Sequence, residues 1–133
     1  MVGILLVTHG QLGRAIRESA ELLVGSIEKV EDLSLLAGQD VQELKAQVEA
    51  KMAVLDDGDG VLVLVDIPGG SPYNVTAQCI RGRQAECITG LNLPMLVEAV
   101  DSRGDLKLPE LARSCMQLGA DGIVDVRERL HMN

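Results

Sequence analysis

Apolar positions along the chain follow two rhythms. Short continuous runs, "VGILLV" at 2–7 and "VLVLVD" at 61–66, suit strands covered on both faces, because a strand with one wet face alternates instead. Between them the spacing turns helical. In "QLGRAIRESAELLVG", Leu12, Ile16, Ala20 and Leu23 fall on one predicted stripe and Gly25 stands where a helix stops. "KVEDLSLL" reads as a second strand, and from Asp40, a good N-cap, the residues Val41, Leu44, Val48, Met52 and Leu55 form a second helical face. "DDGDG" breaks the chain before the run at 61–66. After that run "GGSPYNVTAQCI" opens a third helix and "AECITG" reads as a weaker strand. "NLPMLVEAV" and "LPELARSCMQLG" read as two consecutive helices, and "GIVDV" as a last short strand.

Strands alternating with helices predict a doubly wound α/β fold: a mainly parallel sheet joined by right-handed crossovers, with helices on both faces. A chain of 133 residues forms one such domain, 1–133. Ligands of open α/β sheets bind beyond the carboxyl ends of the strands, where the winding reverses. Two residues suited to chemistry fall there, His9 just past the first strand and Asp66 at the end of the third.

An imidazole is nucleophilic near neutral pH, since its ordinary pKa of about 6.5 leaves one ring nitrogen free. A carboxylate that accepts the other N–H fixes the tautomer and the ring orientation; Asp66 is the candidate. The following "IPGGSP" offers a place for an anion. Gly69 and Gly70 allow close backbone approach, Ser71 is a plausible N-cap with a hydroxyl to donate, and Pro72 suits a first helical turn. Unpaired amides at a helix start bind phosphate oxygens. A histidine, an orienting aspartate and a phosphate cradle are the minimum for reversible phosphorylation of an imidazole. Each alone has a structural reading: a strand-end histidine, a loop aspartate, a turn leading into a helix. Their predicted meeting at one sheet edge favours the functional one.

Composition narrows the partners. Tyr73 is the sole aromatic residue and the formal charge is −8, so neither the stacking platform nor the basic groove of a nucleic-acid binder is present, although Arg14, Arg17, Arg81 and Arg83 leave a local basic patch open. Cys79, Cys87 and Cys115 are odd in number and form no C-x-x-C pair, as expected of reduced, buried thiols in a cytoplasmic protein. No apolar stretch has the length of a membrane span or the flanks of a signal peptide, which leaves any membrane role to partners.

"LLVTHGQLG" followed by "VLVLVDIPGGSPYN" resembles the enzyme IIA domains of the mannose class of the bacterial sugar phosphotransferase system, with the order of elements matching along nearly the whole chain. The resemblance implies that His9 is phosphorylated by the phosphocarrier HPr and passes the group to a IIB protein. It implies Asp66 as the hydrogen-bond partner of His9, Gly70 and Ser71 as phosphate ligands, and the ring nitrogen facing away from Asp66 as the reactive one. It also implies a homodimer in which the last strand, here "GIVDV", packs antiparallel onto the neighbouring subunit. With the chain ending at Asn133, the IIB acceptor is expected to be a separate protein. Tyr73 stands where the family commonly has phenylalanine.

Three other readings compete. A regulatory module of the same fold would take the phosphoryl group without serving sugar uptake. A histidine phosphatase would also use a histidine after its first strand, but that group usually has arginine directly before it, where this chain has Thr8. A plain ligand-binding α/β domain would not need His9. Neither metal nor cofactor is expected: the cysteines and histidines lack metal-ligand spacing, and "DDGDG" reads as a turn rather than a calcium loop because Val61 falls on a ligand position. His131 is expected on a mobile tail, and Arg14 and Arg17 on a solvated helix face.

Overall fold

A computed structural model describes residues 1–132. Strands β1 (Gly3–His9), β2 (Val30–Leu35), β3 (Val61–Val65) and β4 (Ala85–Ile88) alternate with helices α1 (Leu12–Val24), α2 (Val41–Leu55), α3 (Ser71–Cys79) and α4 (Leu93–Ser102), followed by α5 (Leu108–Asp121) and the short α6 (Val126–Arg129). The four strands form one sheet in the order β2-β1-β3-β4, and every pairing is parallel.

The continuous apolar runs divide by parity. Ile4 and Leu6 of β1 with Leu62 and Leu64 of β3 face a layer made by α1, α4 and α5. Leu5, Val7, Val61, Val63 and Val65 face α2 and α3. Both faces of the two central strands are therefore dry, which is why these runs do not alternate with polar residues. Full burial of each leucine or valine stabilises the fold by about 1.5–3 kcal/mol relative to exposure. Asp40 caps α2 as expected, accepting from the Gln42 N–H at 2.9 Å.

Several boundaries depart from the sequence reading. β1 extends to His9, so the histidine is the last strand residue rather than the first loop residue. Helix α1 buries Gly13 and Ala20, while Leu12 and Leu23 are 44% and 64% exposed. Small residues won that face because α1 lies so close to β1 that a Cβ on Gly13 would come within 3.2 Å of the Leu6 Cβ. Gly70, not Ser71, is the N-cap of α3, and Ser71 is its first residue.

"GIVDV" is not a strand in this chain. Gly122 is the C-cap of α5, and Asp125 caps α6 by accepting from the Glu128 N–H. The five residues are thus shared between one helix end and the next, with no neighbouring strand supplying a ladder among the described residues. The expected antiparallel strand is accordingly absent from the sheet, and Ile123, Val124 and Val126 are exposed. His131 is exposed in the turn that closes α6, where its N–H donates to the Glu128 carbonyl.

Candidate functional site at the carboxyl edge of the sheet

From β1 the chain passes through α1 to β2 on one side, whereas β3 lies on the other side of β1. The winding reverses between β1 and β3, which opens a crevice at their carboxyl ends. His9 ends β1 and Asp66 directly follows β3, so the register Val7↔Val65 brings the two side by side.

Asp66 Oδ2 accepts two hydrogen bonds from His9, from its backbone N–H at 2.8 Å and from ring Nδ1 at 2.8 Å. Oδ1 accepts from the Ile67 N–H at 2.9 Å. An ionised carboxylate only accepts, so Nδ1 carries a ring proton, and in the neutral imidazole the lone pair is then on Nε2. The Asp66 side chain is 9% exposed and that of His9 47%, which leaves the anchor inside and the imidazole at the surface. Burial works to raise the Asp66 pKa. The three N–H donors outweigh it and hold the carboxyl below its ordinary value of 3.8.

Beyond the imidazole lies the tip of α3. Gly69 has φ of 84°, a left-handed conformation that turns the chain from β3 into the helix. Gly70 has ordinary angles but no room for a side chain: a Cβ there would lie 2.7 Å from His9 Cε1 and 3.2 Å from Nε2. The Ser71 and Tyr73 amides find no acceptor among the described residues, Pro72 has none to offer, and Asn74 begins the helical ladder by donating to the Gly70 carbonyl. Unpaired amides at the positive end of a helix dipole favour an anion. An imidazole lone pair, an ionised carboxylate behind it and an anion-seeking helix tip therefore meet at one point. The four residues singled out from sequence, His9, Asp66, Gly70 and Ser71, are all brought there.

Two supports of the site lie outside the sequence reading. The buried Thr8 hydroxyl accepts from the Gly13 N–H at 3.0 Å and lies 3.4 Å from the Gly10 carbonyl, which ties the start of α1 to the strand that carries His9. The loop after β4 fixes Asp66 from the other side, with Gly90 N–H donating to the Asp66 carbonyl and Leu91 N–H to that of Val65. A lone threonine at the end of an apolar run was the only clue to the first; the second is a tertiary contact with no local pattern.

The arginines do not gather into one basic patch. Arg14 pairs with Glu18, and Arg17 bonds Asp32 at 3.1 Å with Glu21 and Glu31 nearby, a half-buried ion-pair cluster rather than a purely solvated face. Arg81 and Arg83 precede β4, at the opposite edge of the sheet. Of the cysteines, Cys79 and Cys115 are buried and Cys87 is half-buried, its thiol pushed up to about 11 by burial. The "DDGDG" segment is a turn in which Asp56 Oδ1 accepts from the Gly58 and Gly60 amides. Among the described residues no group of three or more His, Cys, Asp or Glu is placed to hold a metal ion, and no helix is long and apolar enough to cross a membrane.

Known proteins resemble this chain in sequence and fold. Residues 3–116 match the family model EIIA-man, described as the PTS system fructose IIA component. The chain is 34% identical over 124 residues to the PTS system mannose-specific EIIAB component of Escherichia coli strain K12, covering 92% of this chain and 38% of that protein. It thus spans little more than a third of that relative's length. It is 30% identical to the PTS system fructose-specific EIIA component of Bacillus subtilis strain 168, covering 84% of this chain and 77% of the relative. Its fold superposes on the crystal structure of phosphotransferase system component EIIA from Streptococcus agalactiae with a TM-score of 0.89 at 30% identity, over 96% of this chain and 99% of that one. With fold and sequence in agreement, the chain belongs to the mannose-class EIIA family of the sugar phosphotransferase system.

Proposed function

We propose that this protein is a cytoplasmic phosphoryl carrier that accepts a phosphoryl group from phospho-HPr on His9 and passes it to a IIB protein. One observation carries the reading: the 2.8 Å bond from Nδ1 to Asp66 leaves Nε2 as a lone-pair donor at a half-exposed strand end. Nε2 attacks the donor phosphorus in line, the N–P bond to the donor imidazole breaks as the new one forms, and the departing electron pair stays on the donor ring. The His9 proton remains on Nδ1, where Asp66 stabilises the positive charge that builds on the imidazole. The Ser71 and Tyr73 amides, the Ser71 hydroxyl and the dipole of α3 take up charge on the phosphoryl oxygens. Attack by a nucleophile of the IIB protein reverses the sequence. No metal or cofactor enters these steps.

The protein acts as a homodimer in this reading. Ile123, followed by the exposed Val124 and Val126, lines a groove of about 380 Å³ together with residues of β4, an edge strand, α4 and α5, so antiparallel addition of this segment to the β4 of a second copy would cover exposed apolar surface.

The test is incubation with phosphoenolpyruvate, enzyme I and HPr, followed by transfer to a IIB protein. The expected result is an acid-labile, base-stable label on the wild type and none on His9→Ala. Undiminished labelling of His9→Ala, or no label on the wild type, overturns the assignment.

A further inference from the structure

One side chain joins the two helices that follow β4. Asn92, half-buried at the start of α4, accepts from the Met95 N–H at 2.9 Å and donates through Nδ2 to the Gly119 carbonyl of α5 at 3.0 Å. The first bond satisfies a donor left open at a helix start, the second an acceptor left open at a helix end. In α5 the Ile123 N–H, which an unbroken helix would give to Gly119, goes to the Ala120 carbonyl instead. Residue 119 must be small for the helices to meet this closely: a Cβ there would lie 3.0 Å from Met95 Cε and 3.4 Å from Asn92 Oδ1.

What this bridge holds is the loop behind Asp66. Pairing of β1 with β3 ends at Val7↔Val65 and pairing of β3 with β4 at Leu64↔Ile88, so Asp66 lies just past both ladders. Its carbonyl is held instead by the Gly90 N–H at 3.0 Å, and the Val65 carbonyl by the Leu91 N–H at 3.1 Å. Asn92 is the next residue. The loop 89–92 is thus fixed at one end by β4 and at the other by a side chain bound to two helices. Any drift of the loop carries the Asp66 peptide with it, and with that peptide the carboxylate that receives both His9 N–H groups.

We infer that Asn92 is a positioning residue for phosphoryl transfer: by tying the start of α4 to the end of α5 it seats the 89–92 loop against the main chain of Asp66, and through Asp66 it sets the His9 ring. This rests on the proposed function and extends its machinery to a residue that acts only through the carboxylate. In-line transfer is sensitive to such seating, because a displacement near 1 Å costs on the order of 100-fold.

Asn92→Asp isolates the bridge. A carboxylate still accepts from the Met95 N–H but offers no donor to the Gly119 carbonyl. Asn92→Ser, which keeps a capping oxygen and lacks the amide donor, is the second variant. Ser114→Ala is the control: it removes the Ser114 bond to Glu98, another link between α5 and α4, and leaves the 89–92 loop alone. Both Asn92 variants are expected to lower kcat with phospho-HPr about tenfold at unchanged KM, and to slow labelling by phosphoramidate, a donor that needs no protein surface, by the same factor. Ser114→Ala should transfer at the wild-type rate. In ring-nitrogen NMR spectra at about pH 8.5, above the ordinary imidazole pKa, wild-type His9 should show one Nδ1–H tautomer and the Asn92 variants a shift of both nitrogens toward a mixture.

Wild-type kcat and ring spectra in both Asn92 variants would overturn the proposal, as would equal slowing in Ser114→Ala. So would a loss confined to KM for phospho-HPr. A rate that recovers at protein concentrations high enough to restore a dimer would also overturn it, because Asn92 lines the groove assigned above to the second copy. Each of these results leaves a labelled wild type and His9 as the acceptor; a wild type labelled by neither donor removes the proposed function itself.

Discussion

Asp66 receives two hydrogen bonds from His9 on the same carboxylate oxygen, one from the main chain and one from the ring, both at 2.8 Å. The backbone bond places the end of β1 against the end of β3, and the ring bond then leaves the imidazole little rotational choice. Orientation and tautomer thus come from one carboxylate that the fold has already seated.

Asp66→Asn tests that arrangement. An amide oxygen still accepts from Nδ1, but the negative charge opposite the developing imidazolium is gone. Phosphoryl transfer should slow by about 10–100-fold, the range seen when a carboxylate that orients a histidine is neutralised. The fold should persist, since the side chain lies at the sheet edge rather than in either core layer. Stopped-flow transfer from phospho-HPr alongside circular dichroism separates the two; an unchanged rate removes Asp66 from the mechanism.

Gly70→Ala tests the space beyond the ring. The backbone at Gly70 (φ −87°, ψ 176°) suits any residue, so the substitution brings no conformational strain. Its methyl would lie 2.7 Å from His9 Cε1 and displace the imidazole from the α3 tip. A shift near 1 Å costs on the order of 100-fold in a transfer reaction. The label from phosphoenolpyruvate, enzyme I and HPr should therefore appear about 100 times more slowly, with little change in the urea midpoint. Normal labelling would mean that the ring has room to spare.

How much of this was legible in the sequence follows from range. β1 and β3 were readable because five or six consecutive apolar residues leave a strand little alternative but the interior of a sheet. His9, Asp66 and the glycine pair were readable because they sit at the ends of those strands. Leu12 and Leu23 were misplaced because helical spacing cannot say which stripe packs, and a close approach to β1 favoured Gly13 and Ala20. "GIVDV" has the composition of a strand, but a strand is completed by its neighbour, and among the described residues no strand of this chain pairs with it. The role of Gly70 was only half visible: its place at the helix tip follows from "GGSP", but its contact with the His9 ring joins residues 61 positions apart.

Acid should weaken the site in a defined window. Asp66 has a folded pKa below its ordinary 3.8, so its contribution to stability is complete above that value and is lost as pH falls through the lowered folded one. Asp57, held down at about 2 by Lys29 and the N-terminal amine, adds to the same acid limb. Carboxyl chemical shifts followed by NMR should give Asp66 a midpoint below 3.8, and the urea midpoint of Asp66→Asn should fall less steeply than that of wild type below about pH 4. A titration midpoint at or above 3.8 would show that burial, not the three N–H donors, governs the carboxylate.

Thr8 offers a test of how the strand end is held. Helix α1 has Gln11 at its N-cap with no side-chain bond, and the buried Gly13 amide is satisfied by the Thr8 hydroxyl from within β1. Thr8→Val preserves shape and β propensity while leaving that amide unpaired, which costs about 1–3 kcal/mol. Thr8→Ser keeps the hydroxyl and should recover most of the loss. Because Gly10 and Gln11 are the only residues between His9 and α1, loosening the helix start also loosens the imidazole. Thr8→Val should then transfer phosphate several-fold more slowly even at temperatures where it is fully folded, whereas Thr8→Ser should not. Equal rates for the two folded variants would confine Thr8 to stabilising α1 and leave the orientation of His9 to Asp66 and Gly70 alone.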